Sequence, residues 1–336
     1  MTTIVLDAMG SDNYPDVDMR GAVMAAQEYD LDLIVVGDEK QLRPLLEKLA
    51  PSGNLPIRIF HAPDMLTMND KNDELVRKAR HKDAQNSMAV GLDLVKSGVA
   101  DAFVTAGNTG AAMVTAYFRL GKLKGIHRPA LAPIFPTATG SCVVMDVGAN
   151  PDCKPRNLVE FALMGSVYAE KVRGVTKPKI GIVSNGEEAG KGSELVRETY
   201  PLLAETSLNF VGNVEGKGVI NGEVDVAVTD GFTGNVMLKT SEAIAKLIID
   251  KIKEAVMNGG ILAKIGGLLI KPALGAVKDM LDPSDVGAAP LLGVNGLVFI
   301  GHGSSNDIAI KNAIRVAKEA VEADVLNAMR EAIENK

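Results

Sequence analysis

Six polar segments of the sequence each follow a short apolar run, and they carry most of the side chains that could do chemistry. They are residues 7–12, 106–110, 146–150, 184–188, 229–235 and 301–306. All six are rich in Gly, Asn, Asp, Ser or Thr. Glycine-rich turns that expose backbone amides at helix starts bind anions, most simply phosphate. The sequence therefore predicts an anion site built from several of these loops.

Two of the loops are predicted to open a helix directly after a strand, at Gly107-Asn108-Thr109-Gly110 and at Gly303-Ser304-Ser305-Asn306. Known nucleotide motifs do not explain the glycines. Residues 186–192 have three residues between two glycines where a P-loop has four, and a Gly follows the Lys. Gly301-His302-Gly303 is only half of a dinucleotide fingerprint.

Lys191 and Asn235 are the polar side chains whose positions are most suggestive. Lys191 follows a predicted strand and precedes a predicted helix, where the helix dipole disfavours a cation, so its position indicates an anionic partner. The alternative is an ion pair with Glu187 or Glu188. Asn235 opens a predicted helix after residues 230–234, and the alternative there is a plain N-cap.

No set of residues for covalent catalysis stands out in the sequence. There is no G-x-S-x-G motif, Cys142 lies inside an apolar run, and only His302 of the four histidines lies in a polar loop of interest. The site is therefore expected to bind and polarise its substrates. Phosphate is itself anionic at neutral pH, so as a nucleophile it needs positioning and oxyanion stabilisation rather than a base.

The elements that must position these loops alternate along the chain. Short, mostly β-branched apolar runs are separated by longer amphipathic segments, which predicts a mostly parallel sheet covered by helices on both faces. Ligands of such sheets bind at the carboxyl ends of the strands. We therefore expect a single α/β domain over residues 1–336, with the six polar segments at one sheet edge.

One segment, residues 258–281, departs from this alternation. It is rich in Ile and Leu and carries Lys264, Lys271 and Lys278, whose spacing of seven returns to nearly the same helix face. Gly266-Gly267 and Pro272 are expected to break it into two short helices, giving an amphipathic hairpin insertion that protrudes from the domain. Two interpretations stay open, a dimer contact or lid and a membrane-surface anchor.

The amino-acid composition excludes several classes of protein. Hydrophobic residues make up 46% and charged residues 23% of the 336 residues, which excludes a disordered chain. The formal net charge of −6 is unsuited to general nucleic-acid binding. Two cysteines cannot form a disulfide framework, and a zinc site is not expected. The first residues lack a signal-peptide pattern, so a cytoplasmic protein is expected.

The loops together resemble the bacterial phosphate acyltransferase family, the acyl-carrier-protein:phosphate transacylases. The resemblance covers nearly the whole chain in the family's order. The matching segments are 7–12 with Pro15, 105–111, 128–130, 146–150, 186–192, 229–235 and 290–305. Ser11 and Ala288 depart from the family, which usually has Gly at both positions. Both are small, so they affect local loop geometry only.

The resemblance implies a reaction in which a long-chain acyl-carrier-protein thioester and inorganic phosphate give acyl phosphate and free carrier protein. It implies a homodimer with a three-layer α/β/α sandwich, related to isocitrate dehydrogenase-like and phosphotransacetylase-like proteins, and it implies no cofactor or metal. It also implies that Lys191 and Asn235 occupy the proposed catalytic positions.

We hypothesise that Lys191 binds the incoming phosphate and the developing oxyanion, while Asn235 donates to the thioester carbonyl. The residues expected to bind substrate are Asp7, Gly107, Asn108, Thr109, His302, Gly303, Ser304 and Ser305. The family works at the membrane surface, so Ile265, Leu268 and Leu269 are expected to contact the acyl chain or the inner face of the membrane.

The carrier protein is acidic, so docking needs a local basic patch. Two clusters are candidates: Arg119, Lys122, Lys124 and Arg128, and Lys171, Arg173, Lys177 and Lys179. The alternatives to a long-chain transacylase are a short-chain acyl-CoA phosphotransacetylase, an NAD-dependent decarboxylating dehydrogenase on a related fold, and a non-catalytic membrane scaffold.

Overall fold

Strands and helices alternate along the chain, as predicted. The computed structural model describes residues 1–66, 72–81, 84–281 and 283–335. Within those residues the strands are β1 (Thr3–Asp7), β2 (Asp32–Gly37), β3 (Ile57–His61), β4 (Ala102–Thr105), β5 (Ala130–Leu131), β6 (Ile134–Thr137), β7 (Gly140–Met145), β8 (Ile180–Val183), β9 (Phe210–Val214), β10 (Val226–Val228), β11 (Ala288–Leu292) and β12 (Leu297–Gly301). The helices of the same residues are α1 (Asp16–Glu28), α2 (Glu39–Leu49), α3 (Asn72–Arg80), α4 (Ser87–Lys96), α5 (Thr109–Leu120), α6 (Pro155–Arg173), α7 (Glu194–Ala204), α8 (Gly216–Asn221), α9 (Gly231–Asn258), α10 (Gly260–Leu281), α11 (Pro283–Val286), α12 (Asp307–Glu322) and α13 (Val325–Glu334).

The larger sheet has the strand order β3-β2-β1-β4-β12-β11-β5. Its first five strands run parallel, and β11 and β5 are successively antiparallel to their neighbours. Helices α1 and α12 pack on one face and α4 and α5 on the other. Both faces are covered, which is why the strands are continuously apolar and buried, with Val5 and Leu6 fully inaccessible. This confirms the α/β class and the helix–sheet–helix layers.

A second sheet has the strand order β6-β7-β10-β8-β9, parallel except for the edge strand β6. The sequence had predicted one sheet. The division falls at Pro133, since Ala132 N donates to Pro290 O of the larger sheet and Pro133 O accepts from Val144 N of the smaller one. Proline has no N–H to continue the first ladder, so the apolar run around it is shared between two sheets.

The hairpin differs from its prediction. Helix α10 continues through Gly266, Gly267 and Pro272, so the expected break into two short helices is wrong. The hairpin is instead formed by α9 and α10, which turn at Gly259-Gly260 and pack on each other. A Cβ atom on Gly267 would overlap the side chain of Val256, so this glycine lets the two helices approach closely.

The helices of the structure were compared with the length and hydropathy of membrane-spanning helices. Within the part of the chain that the structure describes, no helix combines the length and the apolar character that crossing a membrane requires.

Candidate active site

The loops that follow β1 and β4 meet at one edge of the larger sheet. Asp7 ends β1 and is fully buried, and its carboxylate accepts hydrogen bonds from Thr105 Oγ1 at 2.8 Å and from Met9 N at 3.1 Å. Thr105 Oγ1 in turn accepts from Gly107 N at 3.0 Å. Burial raises the pKa of Asp7, while hydrogen bonds led by that from Ser87 oppose the shift. Asp7 thus holds the loop after β4 from within the protein.

Around Gly107 the two loops approach through glycines. A Cβ atom on Gly10 would lie 2.7 Å from Gly107 N, so any side chain there would push the loops apart. Asn108 caps α5, since its Oδ1 accepts from Ala111 N at 2.9 Å. Thr109 is exposed. The helix start therefore presents Thr109 and nearby amides to solvent, while the Asn108 side chain is used internally.

The loop after β12 joins the same edge. Gly303 O accepts from Asp12 N at 2.7 Å, which ties this loop to the loop after β1. His302 and Ser304 are exposed, whereas Ser305 is buried. His302 Nε2 lies 3.7 Å from Glu242 Oε1 on α9. The predicted phosphate-binding residues of the larger sheet are thus brought together in three adjoining loops.

The remaining three polar segments meet at the smaller sheet, after the adjacent strands β7, β10 and β8. Asp146 follows β7, and its buried carboxylate accepts from Leu131 N at 2.9 Å and from Asn150 N at 2.6 Å. Burial is also the main cause that raises the pKa of Asp146. Because Leu131 belongs to β5 of the larger sheet, Asp146 links the two sheets at the site.

Asn235 lies within the first turns of α9 rather than at its start. Asp230 is the N-cap, since its Oδ1 accepts from Thr233 N at 2.8 Å, so the N-cap alternative for Asn235 is wrong. The Asn235 amide lies against the turn after β7, where a Cβ atom on Gly148 would be 3.6 Å from Asn235 Cγ. Asn235 is exposed, and within the described residues its amide has no hydrogen-bond partner. The amide is available to a ligand.

Lys191 is exposed at the end of the loop after β8. Its backbone is held in place, because Lys191 N donates to Glu188 O at 2.9 Å. The alternative ion pair with Glu187 is not formed, since Glu187 lies 3.4 Å from Lys217 instead. Over the described ranges of the chain, Lys191 forms no ion pair, with Glu188 or with any other acid. Its ammonium group is free to meet an anion.

The prediction that the six loops share one sheet edge is wrong. The loops form two groups of three, one on each sheet. Helix α9 connects the groups. It begins in the loop after β10 with Asn235, and two turns later Glu242 approaches His302 of the other group. Lys239, between them, lies 2.8 Å from Glu242 Oε2.

Comparisons with known proteins decide the family. A family model described as "Fatty acid synthesis protein" matches residues 2–328. A phosphate acyltransferase from Acidobacterium capsulatum is 49% identical over 325 residues, which are 97% of this chain and 95% of the relative. One from Pelotomaculum thermopropionicum is 47% identical over 332 residues, 99% of this chain and 95% of the relative. The chain belongs to the phosphate acyltransferase family. It is therefore an acyltransferase that acts with phosphate, and the dehydrogenase alternative is dropped.

This member of the phosphate acyltransferase family has a fold that is also found in proteins of much lower sequence identity. A phosphotransacetylase from Streptococcus pyogenes superposes with a TM-score of 0.59 at 19% identity, covering 99% of this chain and 94% of that one. At that identity the likeness concerns the fold alone, and it confirms the phosphotransacetylase-like architecture.

Sequence reasoning did not single out two polar residues near the site of this family member, Lys239 and Glu242. Both lie on α9, and their spacing in the sequence relates them to Asn235. Residues 235, 239 and 242 are spaced by four and three, which places them on one helix face. Because the predicted helix already included Asn235, this face could have been identified from the sequence.

Proposed function

We propose that this protein moves a long-chain acyl group from the thiol of acyl carrier protein to inorganic phosphate, giving acyl phosphate and free carrier protein. The observation that carries the proposal is a pair of uncommitted polar groups on neighbouring loops. These are the Lys191 ammonium after β8 and the Asn235 amide after β10. A cation and an N–H donor suit a phosphate nucleophile and a developing oxyanion.

In the proposed step a phosphate oxygen attacks the carbonyl carbon of the thioester. A C–O bond forms, the C–S bond breaks with its electron pair passing to sulfur, and the thiolate takes a proton from solvent. Lys191 binds the phosphate and the oxyanion, and the Asn235 amide donates to the carbonyl oxygen. No covalent enzyme intermediate is needed, because phosphate is already an anionic nucleophile.

The loops of the larger sheet divide into binding and positioning residues in this proposal. Exposure assigns phosphate binding to Thr109, His302 and Ser304, with the amide of Gly303, whereas the buried Gly107 amide is used by Thr105. Burial and internal hydrogen bonds assign three others to positioning, namely Asp7, Asn108 and Ser305.

The proposal places the exposed face of α10 at the inner face of the membrane, as a peripheral contact. Leu268 and Leu269 are 70% and 77% exposed, and Ile265 is half exposed. Lys264 and Lys271 are exposed on the same helix, while the side chain of Lys278 lies outside the described residues. Exposed aliphatic residues with flanking lysines suit anionic headgroups. The homodimer expected for the family belongs to the same proposal.

Carrier-protein docking needs a basic surface, and the two predicted clusters lie differently relative to the site. In the first, Arg119 is buried and its guanidinium lies 2.7 Å from Asp93. The second surrounds the amino end of β8, where Lys179 N donates to Asp225, at the edge opposite the Lys191 loop. Only the first cluster reaches a loop of the site, because Arg128 precedes Pro129, whose carbonyl oxygen accepts from Asn150 Nδ2 at 2.7 Å in the loop after β7.

One assay tests the proposed function. Purified protein is mixed with palmitoyl-carrier protein with and without phosphate, thiol release is followed, and acyl phosphate is trapped with hydroxylamine. We expect phosphate-dependent release with trapped product. Release without phosphate dependence contradicts the proposal, and preference for acetyl-CoA over the carrier thioester favours the short-chain alternative. Vesicle binding without turnover favours the scaffold.

A further inference from the structure

One carboxylate, that of Glu242, lies between two basic side chains that come from different elements. Its Oε2 accepts a hydrogen bond from Lys239 Nζ at 2.8 Å, one helical turn earlier on α9. Its Oε1 lies 3.7 Å from His302 Nε2, in the loop after β12. Among the residues that the structure describes, neither basic group is paired with another acid. Glu242 therefore occupies the position in which an anionic ligand of both groups would lie.

The other ion pairs of α9 do not have this arrangement. Lys251 pairs with Glu254 at 2.7 Å with the same spacing of three residues, and Lys253 lies 3.9 Å from Asp250. Each of these pairs joins neighbours on one helix, and its side chains are between 56% and 67% exposed. Glu242 is only 30% exposed and also contacts a second element. The arrangement around Glu242 is thus more than a surface ion pair within one helix.

The two basic groups lie beside parts of the proposed site. Lys239 follows Asn235 by four residues on the same helix face, so their Cα atoms are about 6 Å apart along the axis. His302 directly precedes Gly303 and Ser304, whose amide and hydroxyl are assigned to phosphate in the proposed function. Both basic side chains are about half exposed, which leaves them accessible to a small ion. An anion bound between them would contact the α9 face that carries Asn235 and the loop after β12.

We propose that Lys239 and His302 form a binding site for inorganic phosphate, which the Glu242 carboxylate occupies until phosphate displaces it. The inference rests on the proposed function, in which phosphate is the nucleophile. Carboxylate and phosphate oxygens accept the same charge-assisted hydrogen bonds, and phosphate carries up to about two negative charges where a carboxylate carries one. Phosphate is therefore the stronger ligand. Before it binds, Glu242 keeps the two basic groups together and so holds the loop after β12 against α9.

Glu242→Gln tests the competition, because it removes the competing charge and keeps the size of the side chain. Since a partly exposed ion pair is weak, we expect the dissociation constant of inorganic phosphate to fall about two- to fivefold. Titration calorimetry with inorganic phosphate at fixed ionic strength measures this constant. A gain in affinity cannot come from a loss of folded protein.

Glu254→Gln is the matched control for this variant. It makes the same change of net charge in a pair of the same spacing on the same helix. The two acids are twelve residues apart, about 18 Å along α9, where screening by salt is strong. The control is therefore expected to change the phosphate dissociation constant by less than about 1.5-fold. Weaker phosphate binding by Glu242→Gln, or an effect equal to that of the control, overturns the proposal.

Lys239→Ala tests the proposed cation of the site. It is expected to raise the dissociation constant of inorganic phosphate about tenfold or more, the scale of one charge-assisted hydrogen bond. Lys251→Ala removes the corresponding lysine of the matched pair and is expected to change the constant by less than about 1.5-fold. Equal effects of the two lysine variants overturn the proposal.

Failure of this site and failure of the proposed function give different results. Absence of phosphate-dependent thiol release in the unaltered protein overturns the function, and calorimetry with inorganic phosphate alone then still tests the site. Phosphate-dependent release, with no difference between Lys239→Ala and its control, overturns the site and leaves the function. A phosphate ester on the acyl donor is another source of the same anion. If Lys239→Ala raises the KM of the donor but leaves phosphate binding unchanged, the assignment to the nucleophile is wrong.

Discussion

Nε2 of His302 lies 3.7 Å from Oε1 of Glu242, so the loop after β12 meets helix α9 two turns beyond Asn235. This contact connects the two groups of polar loops. The pKa of Glu242 is lowered, first by His302 and then, against burial, by Lys239. A carboxylate with a lowered pKa stabilises the fold above its ordinary pKa, and this contribution is lost as the pH falls through the lowered value.

Glu242→Gln is therefore expected to destabilise the protein at pH 7 but not in acid. The pair is partly exposed, so the difference in free energy of unfolding is expected to be below about 1 kcal/mol at pH 7. It is expected to vanish only once the pH has fallen below the lowered pKa of Glu242, where this side chain is protonated in both the folded and the unfolded state. Urea unfolding at the two pH values measures it. A difference that is equal at both contradicts the linkage to this carboxylate.

Lys191→Ala is expected to lower kcat by roughly a hundredfold, the scale of losing one oxyanion donor. Because Lys191 forms no ion pair with the described residues, stability is expected to change by less than about 0.5 kcal/mol. Lys217→Ala is the control, since Lys217 pairs with Glu187 and Glu215 nearby. Initial rates at varied phosphate measure both. Comparable losses in the two variants sink the catalytic assignment of Lys191.

Asn235→Ala is expected to lower kcat by about a hundredfold without changing the melting temperature. Its amide makes no hydrogen bond within the described chain, whereas Asp230 caps α9. Asp230→Ala is therefore expected to cost about 1 kcal/mol of stability. Calorimetry and the phosphate-dependent assay separate the two effects. If Asn235→Ala melts as early as Asp230→Ala, the Asn235 amide has a structural role instead.

Gly267→Ala and Gly266→Ala are expected to have opposite effects on the hairpin. A Cβ atom at 267 overlaps Val256, which costs about 1–3 kcal/mol, whereas a Cβ atom at 266 meets nothing within 4 Å. Ala at 266 is expected to stabilise α10 by up to about 1 kcal/mol. Hydrogen exchange of α9 and α10 reports each change. Equal protection in both variants contradicts close packing at Gly267.

Leu268→Asp combined with Leu269→Asp is expected to abolish flotation with anionic vesicles. Both side chains are exposed aliphatics at the proposed membrane contact, and burying a carboxylate in the interface is unfavourable. Phe60→Asp is the matched control, because Phe60 is also exposed but lies on the edge strand β3. Retained flotation of the double variant at low salt removes the membrane assignment from α10.

The sequence allowed the element types and the polar strand ends to be predicted, because both depend on local patterns. The division into two sheets was not predictable in the same way. The apolar run around Pro133 is uniform in composition, and only the pairing of Ala132 with β11 and of Pro133 with β7 shows where one sheet ends. Strand pairing depends on contacts between segments far apart in the chain.

Competing local sequence signals explain why the start of α9 and the continuity of α10 differ from their predictions. Asp230 and Asn235 are both good N-caps, and the helix begins at the first of them. Gly266-Gly267 is a helix breaker by propensity, but packing against Val256 outweighs that cost. The sequence left an ion pair of Lys191 with Glu187 open, and Glu187 instead pairs with Lys217, a contact that spacing along the chain does not reveal.

Helix α9 is one unbroken element from Gly231 to Asn258, about 42 Å of continuous hydrogen-bonded backbone. Asn235 stands near one end of this rod and the turn into α10 at the other. If the turn into α10 rests on a surface, the distance of the Asn235 amide from that surface is therefore set by the number of residues between Asn235 and the turn. Inserting or deleting one turn of α9 changes that height by a known step, which makes the helix a spacer of defined length.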